Sequence, residues 1–419
     1  MQEKITLANG ARIIFEKIPH VRSASCGIWV KSGMRHESRE QNGISHFIEH
    51  MVFKGTEEKS AAALAAAMDG IGGQVNAFTT KEHTSFYLKT LDTHLKEGLE
   101  ILCDMFFDSK FAQDDVEVER GVIFEEIGMY EDSPEDLATE KMIESAFARS
   151  MLGMPILGTK ETLSKMTGET MKDYLRSHYS PKGTVVSISG SFEDGDIEYI
   201  KERFSKMRDI PQCACDKAEY KSAGSIKRKD TEQNHICLGF PGMSYMDDKR
   251  YAFAMMNNIL GGGASSRLFQ KVREENGLCY SVYSFNSQYS DAGVHGIYLA
   301  LSPETEERAV RLTGEEVRRF ASEGPTEKEV DRTREQVKAN VLMALESTMS
   351  RMNSIARSEM AYERVISTDE IIQRYDAVNA GDIRDVAQKV LSEGGMTVSA
   401  VGKVKDEGAY RSAFSGKKT

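Results

Sequence analysis

Two stretches of the chain follow one plan. Residues 166–190 read MTGETMKDYLRSHYSPKGTVVSISG and residues 378–402 read VNAGDIRDVAQKVLSEGGMTVSAVG. At an offset of 212 residues, Asp173 meets Asp385, Gly183 meets Gly395, Ser187 meets Ser399 and Gly190 meets Gly402. Each copy has helical spacing followed by a short run rich in β-branched residues, the pattern of a helix leading into a strand. A repeat this long obliges the chain to build one supersecondary plan twice.

Earlier segments fall into the same register. HLKEGLEILCDMFF (94–107) places Leu95, Leu99, Leu102 and Phe106 on one helical stripe, and ETEERAVRLTGEEVRRF (304–320) does so with Ala309, Thr313, Val317 and Phe320. AQDDVEVERGVIFEEI (112–127) pairs with TEKEVDRTREQVKANV (326–341) at an offset of 214. TSFYLKTL (84–91) and GVHGIYLALS (293–302) read as strands that precede these helices. The expected fold is α+β: two homologous halves, each a mostly antiparallel sheet with helices packed on one face. A chain of 419 residues is too long for one ordinary core. The expected boundaries are 1–207 and 231–419. Between them RDIPQCACDKAEYKSAGSIKRKD (208–230), which lacks apolar periodicity, reads as a linker. Ala-Asn-Gly at 8–10 marks a hairpin turn.

The net charge of −11 argues against a nucleic-acid binder, which needs a basic face. No apolar run approaches the roughly 18 residues that span a bilayer, so no membrane insertion is expected. The N-terminal MQEKITLANGARIIFE lacks the character of a targeting segment. The six cysteines include no C-x-x-C pair, only a lone Cys213-x-Cys215, which suggests a reducing cytoplasm. GGGASSR (261–267) lacks the spacing of a phosphate loop and is expected to be a flexible gate or a substrate-lining loop.

Residues 46–56 read HFIEHMVFKGT. On a helix His46, Glu49 and His50 project together, surrounded by Phe47, Ile48, Met51 and Val52. Burying such groups without partners costs on the order of 2–7 kcal/mol for even a neutral polar group. A divalent metal compensates: two imidazoles at i and i+4 can ligate one ion, and the adjacent carboxylate can accept a proton from water. No cysteines stand nearby to close a structural site, so a third ligand and an open position are expected. The segment 112–127 supplies candidates. Its apolar stripe runs through Val116, Ile123 and Ile127, and Glu119 and Glu126 fall on the same stripe, two turns apart, while Glu125 points elsewhere. Glu126 as ligand, with Glu119 holding a ligating histidine by a second hydrogen bond, is the consistent reading. The order H-x-x-E-H inverts the H-E-x-x-H pattern and matches a zinc-hydrolase signature.

At these residues the chain resembles the inverted-motif zinc metallopeptidases, the pitrilysin and insulin-degrading enzyme family. Within it the resemblance is nearest to the β-subunit of mitochondrial processing peptidase and its bacterial relatives. GISHFIEHMVFKGT (43–56), GGQVNAFTTKEHTSFY (72–87), ERGVIFEEI (119–127) and RLFQKVREENGLCYS (267–281) carry it. The resemblance implies zinc ligands at His46, His50 and Glu126, a general base at Glu49, and a second active-site glutamate at Glu119. It also implies substrate contacts from Asn76 and Ala77 on an edge strand, where peptide is added as a β-strand. Arg273 and Tyr280, from the second half, match residues that touch substrate near the scissile bond, Tyr280 as a donor to the oxyanion. The second half lacks the metal equipment: Asn340 stands opposite Glu126, and the region opposite HFIEH falls near AFAMM (252–256). One zinc ion per chain is therefore implied. The resemblance further implies a closed chamber, with unstructured peptides or presequence-like segments as substrates. It also implies a dimer, a homodimer being the simpler choice and a heterodimer with an inactive partner the other. The rival reading is a non-catalytic structural subunit of the same fold, like the core proteins of a respiratory complex, or a peptide-holding chaperone.

Overall fold

The computed structural model describes residues 2–415. It confirms the α+β two-half fold, built on two sheets. The first sheet contains β1 (Gln2–Thr6), β2 (Arg12–Lys17), β3 (Ser23–Val30), β4 (Gln74–Thr79), β5 (Thr84–Leu91) and β6 (Thr184–Gly190), in the order β1-β2-β6-β3-β5-β4. Only β2 and β6 run parallel; the other pairs are antiparallel. The β1–β2 hairpin closes with Leu7 N–H donating to Ala11 O at 2.8 Å, and Gly10 takes the positive φ of 93° that the turn requires. Helices α1 (Ile44–Met51), α2 (Ala61–Gly70), α3 (Leu95–Phe107) and most of α4 (Gln113–Asp132) cover one face. There Phe47, Ile48, Leu102 and Val116 meet Cys26, Ile28, Leu88 and Val186 in one buried core.

The second unit takes in the end of α4 from residue 128 and, as its first whole helix, α5 (Pro134–Ala146). Its sheet contains β7 (Gly224–Arg228), β8 (Asn234–Pro241), β9 (Ser281–Gln288), β10 (Gly293–Leu301) and β11 (Thr397–Gly402), in the order β7-β11-β8-β10-β9. The one parallel pair, β7 with β11, is the counterpart of β2 with β6. Strand β7 lies inside the stretch 208–230 that reads as a linker. It is a half-exposed edge strand held by backbone pairing, so it shows no apolar alternation. The glycine-rich loop 261–267 is tethered: Arg267 binds Glu329 at 2.7 Å, and Ser265 O accepts from Arg332 at 3.1 Å.

The packing units do not follow the repeat boundary. One comprises residues 1–127, 154–216 and 342–366; the other comprises 128–153, 217–341 and 367–419. Each sheet therefore carries a helix on its far face that belongs, by the repeat, to the other half. On the first sheet this is the helix Thr348–Tyr362, whose Ile355, Ala356 and Met360 pack on Ile14, Trp29 and Val185. On the second it is α5, whose Leu137, Ala138 and Met142 pack with Cys237 and Val401. The same device seats both helices. A Cβ on Gly27 of β3 would come within 2.7 Å of Met352 Sδ, and a Cβ on Gly239 of β8 would run into Met142. Being covered on both faces, β6 is buried at every residue and reads as a continuous run. Among the described residues no helix is long and apolar enough to cross a membrane.

Candidate metal centre

Helix α1 is eight residues long and lies between β3 and the edge strand β4 in chain order. Ile44, Phe47, Ile48 and Met51 are fully buried, which fixes the helix on the core and turns His46, Glu49 and His50 toward α4. On α4, Val116 and Ile123 are buried in the same core. Glu119 lies on that buried stripe with 4% exposure, and Glu126 follows two turns later at the partly open end.

These elements bring three donor atoms together. His46 Nε2 lies 3.7 Å and His50 Nε2 lies 3.5 Å from Glu126 Oε2, and the donor atoms of the three residues all lie within 4.8 Å of one another. The spacing exceeds an ordinary hydrogen bond. The two distances to Glu126 lie near what a tetrahedral zinc ion imposes: bonds of about 2.0–2.1 Å place ligand atoms roughly 3.4 Å apart. The protonation pattern fits as well. His50 Nδ1 lies 2.9 Å from Glu119 Oε1. An ionised carboxylate only accepts, so the proton sits on Nδ1 and Nε2 keeps its lone pair facing Glu126. Burial lowers the His46 pKa to about 4, with the neighbouring His50 adding to the effect, so its imidazole is neutral and able to ligate. Burial alone would also lower His50, but the Glu126 and Glu119 carboxylates outweigh it and raise the pKa. The His50 ring beside it holds Glu126 below the ordinary carboxylate range, with burial opposing.

Glu49 is half-buried beside this trio, and its Oε2 has no hydrogen-bond partner among the described residues. Burial raises its pKa, with hydrogen bonds from Thr79 opposing. Glu119 does more than face His50: its Oε2 lies 2.5 Å from Lys54 Nζ. The sequence reading missed Lys54, although it follows His50 by four residues, one helical turn.

The remaining sequence candidates are placed as follows. Asn76 is exposed and Ala77 is buried on β4, the edge of the first sheet, and Asn76 Oδ1 accepts the Ala77 N–H at 2.9 Å. Arg273 and Tyr280 belong to the second unit. The Arg273 guanidinium stacks 5.5 Å over the Tyr280 ring, and Tyr280 is 73% exposed.

Residues 12–160 match the model of the insulinase family (peptidase family M16), and residues 165–337 match the peptidase M16 inactive domain. A relative from Bacillus subtilis, called an uncharacterized zinc protease, is 40% identical over 394 residues, covering 94% of this chain and 96% of that protein. Among solved structures, a peptidase M16 inactive domain from Pseudomonas fluorescens superposes with a TM-score of 0.90 at 18% identity, covering 96% of this chain and 98% of that one. A chain of complex III2 from Candida albicans superposes with a TM-score of 0.85 at 20% identity, covering 98% and 99%. These likenesses show the same fold. With a relative that similar along almost its whole length, the chain belongs to peptidase family M16, the insulinase family.

Proposed function

We propose that this protein is a zinc-dependent endopeptidase that hydrolyses unstructured peptides, with His46, His50 and Glu126 holding one zinc ion per chain. The observation that carries the reading is the convergence of those three donors beside Glu49, whose Oε2 has no hydrogen-bond partner among the described residues. The names of the zinc-protease relatives agree with it. When bound, zinc supplies Lewis acidity toward the scissile carbonyl and toward water.

The chain's own residues supply the rest. Glu49 takes a proton as water attacks the carbonyl carbon. It returns that proton to the nitrogen as the C–N bond breaks. The upward shift that burial imposes on Glu49 suits a group that must both accept and release a proton. Glu119 holds the His50 ring in the ligating tautomer. Asn76 and Ala77 offer an edge to extended peptide backbone, which explains why unstructured substrates are favoured over folded ones. Arg273 and Tyr280 are assigned to substrate contact. A homodimer enclosing a chamber and a reducing cytoplasmic location complete the proposal.

The likeness to a complex III2 chain favours a second reading, a structural subunit without activity. Against it stands the full set of His46, Glu49, His50 and Glu126, which a structural role does not need. One experiment separates the two: incubate the purified protein with a mixed peptide pool, with and without a chelator, and analyse the products by mass spectrometry. Chelator-sensitive cleavage that Glu49→Gln abolishes while zinc stays bound supports the peptidase. Intact peptides throughout would favour the structural subunit.

A further inference from the structure

We propose that Glu37 is a positioning residue for the metal centre: it caps the N-terminus of α1 from outside the helix and so fixes His46. The inference rests on the zinc-site reading above.

The first turn of any α-helix leaves backbone N–H groups without partners inside the helix, and the residue before the helix normally supplies an acceptor side chain. In α1 that residue is Gly43, which has no side chain and no side-chain cap. It cannot be replaced by a capping residue. Its φ is 96°, and a Cβ there would stand 2.7 Å from Gly158 Cα and 2.8 Å from Leu157 O. The close passage of 157–158 against the start of α1 thus excludes the usual solution.

Glu37, six residues upstream, takes over. Its Oε2 accepts from Gly43 N–H at 2.7 Å and from Asn42 Nδ2 at 3.2 Å, and its Oε1 accepts from Ser45 N–H at 2.9 Å. Burial raises the Glu37 pKa to about 7, and this one carboxyl group accepts from two donors of the first turn, whose bonds oppose that rise. Glu37 is 4% exposed, so water cannot substitute for it. Ser45 is pinned further by its hydroxyl, 3.2 Å from Tyr174 Oη.

The consequence for the metal is asymmetric. His46 is the third residue of α1, inside the turn that Glu37 secures, and it has no counterpart of Glu119: its Nδ1 is buried without a partner among the described residues. His50 is a turn further on and is held by Glu119. Loosening the first turn therefore disturbs one ligand and leaves the other two in place.

The test measures zinc affinity by competition with a chromophoric chelator, together with the visible spectrum of the cobalt(II)-substituted protein. It uses the parent, Glu37→Asp, Glu37→Gln and Glu37→Ala, each checked by thermal melting without metal. Zinc affinity is expected to fall about 2- to 30-fold for Glu37→Ala, the range spanned by loss of a helix cap. The loss should be smaller for Glu37→Gln, which keeps one accepting oxygen, and smaller again for Glu37→Asp, which keeps both. The cobalt band should shift in the same order. In a His46→Ala background the Glu37 substitutions should have no further effect, because the coupling runs through that ligand. If Glu37→Ala does not fold, the glutamine and aspartate variants decide the matter. Parent-like affinity and spectrum in the folded variants, or an equal loss in the His46→Ala background, would overturn the proposal. A parent protein that binds no zinc would instead overturn the reading of the site itself.

Discussion

Replacing Glu119 by alanine removes the acceptor that faces His50 Nδ1 without touching a proposed ligand. The bond is short, 2.9 Å, and the carboxylate is buried, so water does not take over its role cheaply. A hydrogen bond to a charged group contributes about 1.5–3 kcal/mol. At about 1.4 kcal/mol per factor of ten, its loss corresponds to roughly 10- to 150-fold in zinc affinity. The range independently associated with outer-shell partners of ligating histidines, about 10- to 100-fold, agrees. Lys54 loses its counter-ion in the same variant, but its side chain is 34% exposed and rehydrates, so little is added. Glu119→Gln keeps an oxygen for Nδ1–H but not the charge. A neutral acceptor makes about half the bond, so a loss of roughly 3- to 10-fold is expected. Chelator competition at neutral pH measures both variants, with thermal melting of the metal-free proteins as the check on folding. Zinc binding by folded Glu119→Ala within about threefold of the parent would refute the claim that this carboxylate orients His50, because even the lower end of the hydrogen-bond range exceeds that factor.

Three further outcomes follow from the same structure. Glu126→Gln should lose zinc while keeping its fold; metal analysis of the purified variant beside its circular dichroism spectrum checks this, and full zinc occupancy would remove Glu126 from the ligand set. Acid should destabilise the chain through two buried histidines. Burial pushes His295 down to about 3 and His36 down to about 4. Their stabilising share is therefore complete above the unfolded value near 6.5 and is lost as pH falls through 6.5 toward those values, about 2 kcal/mol each between pH 7 and pH 5. Urea unfolding at both pH values should show that His295→Gln removes one such share, and an unchanged pH dependence in that variant would contradict the sign. Gly27→Ala should destabilise the first unit by roughly 1–3 kcal/mol through overpacking on Met352, and Met352→Ala should relieve much of that cost. Strict additivity of the two substitutions would show that the helix Thr348–Tyr362 is not seated on that glycine.

Much of this was legible in the chain itself. The 212-residue offset carries α+β helix–strand pairs onto one another: Gly168–His178 with Thr184–Gly190 becomes Ala380–Val390 with Thr397–Gly402. The carboxylate stripe on α4 was readable because Glu119 and Glu126 break an apolar periodicity that the core otherwise enforces. The crossing of helices between packing units was not readable. Leu137, Ala138 and Met142 of α5 form a stripe that suits any apolar sheet face, and nothing local states which sheet receives it. Glu37 and Lys54 escaped for a related reason. Glu37 acts through hydrogen bonds to backbone six and eight residues on, and Lys54 through an ion pair with Glu119 on another helix. Neither contact leaves a periodic signal, and only Gly43, a helix start without a capping side chain, hinted that an acceptor must come from elsewhere.

The repeat also supplies an internal control on the metal centre. Between β8 and β9 the second unit carries the helix Arg250–Gly261 where the first carries α1 between β3 and β4. Thr333, 214 residues after Glu119, is fully buried and its hydroxyl donates to Asn258 Oδ1 on that helix at 3.2 Å. This neutral pair stands where Glu119 holds His50, and it shifts the correspondence two residues beyond the sequence reading of 252–256. With Asn258 opposite His50, the offset of 208 sets Asn257 opposite Glu49 and Ala254 opposite His46, while Asn340 remains opposite Glu126. The scaffold thus folds the same elements with four residues that carry no charge. The first unit buries ionisable groups in their place, leaving Glu49 Oε2 and His46 Nδ1 without hydrogen-bond partners among the described residues. Packing does not ask for buried ionisable groups at these positions, since the second copy has none there, although its Asn257 Oδ1 is likewise buried without a partner among the described residues. What the first copy gains is three donors that could hold a metal ion, with the Glu49 carboxyl beside them.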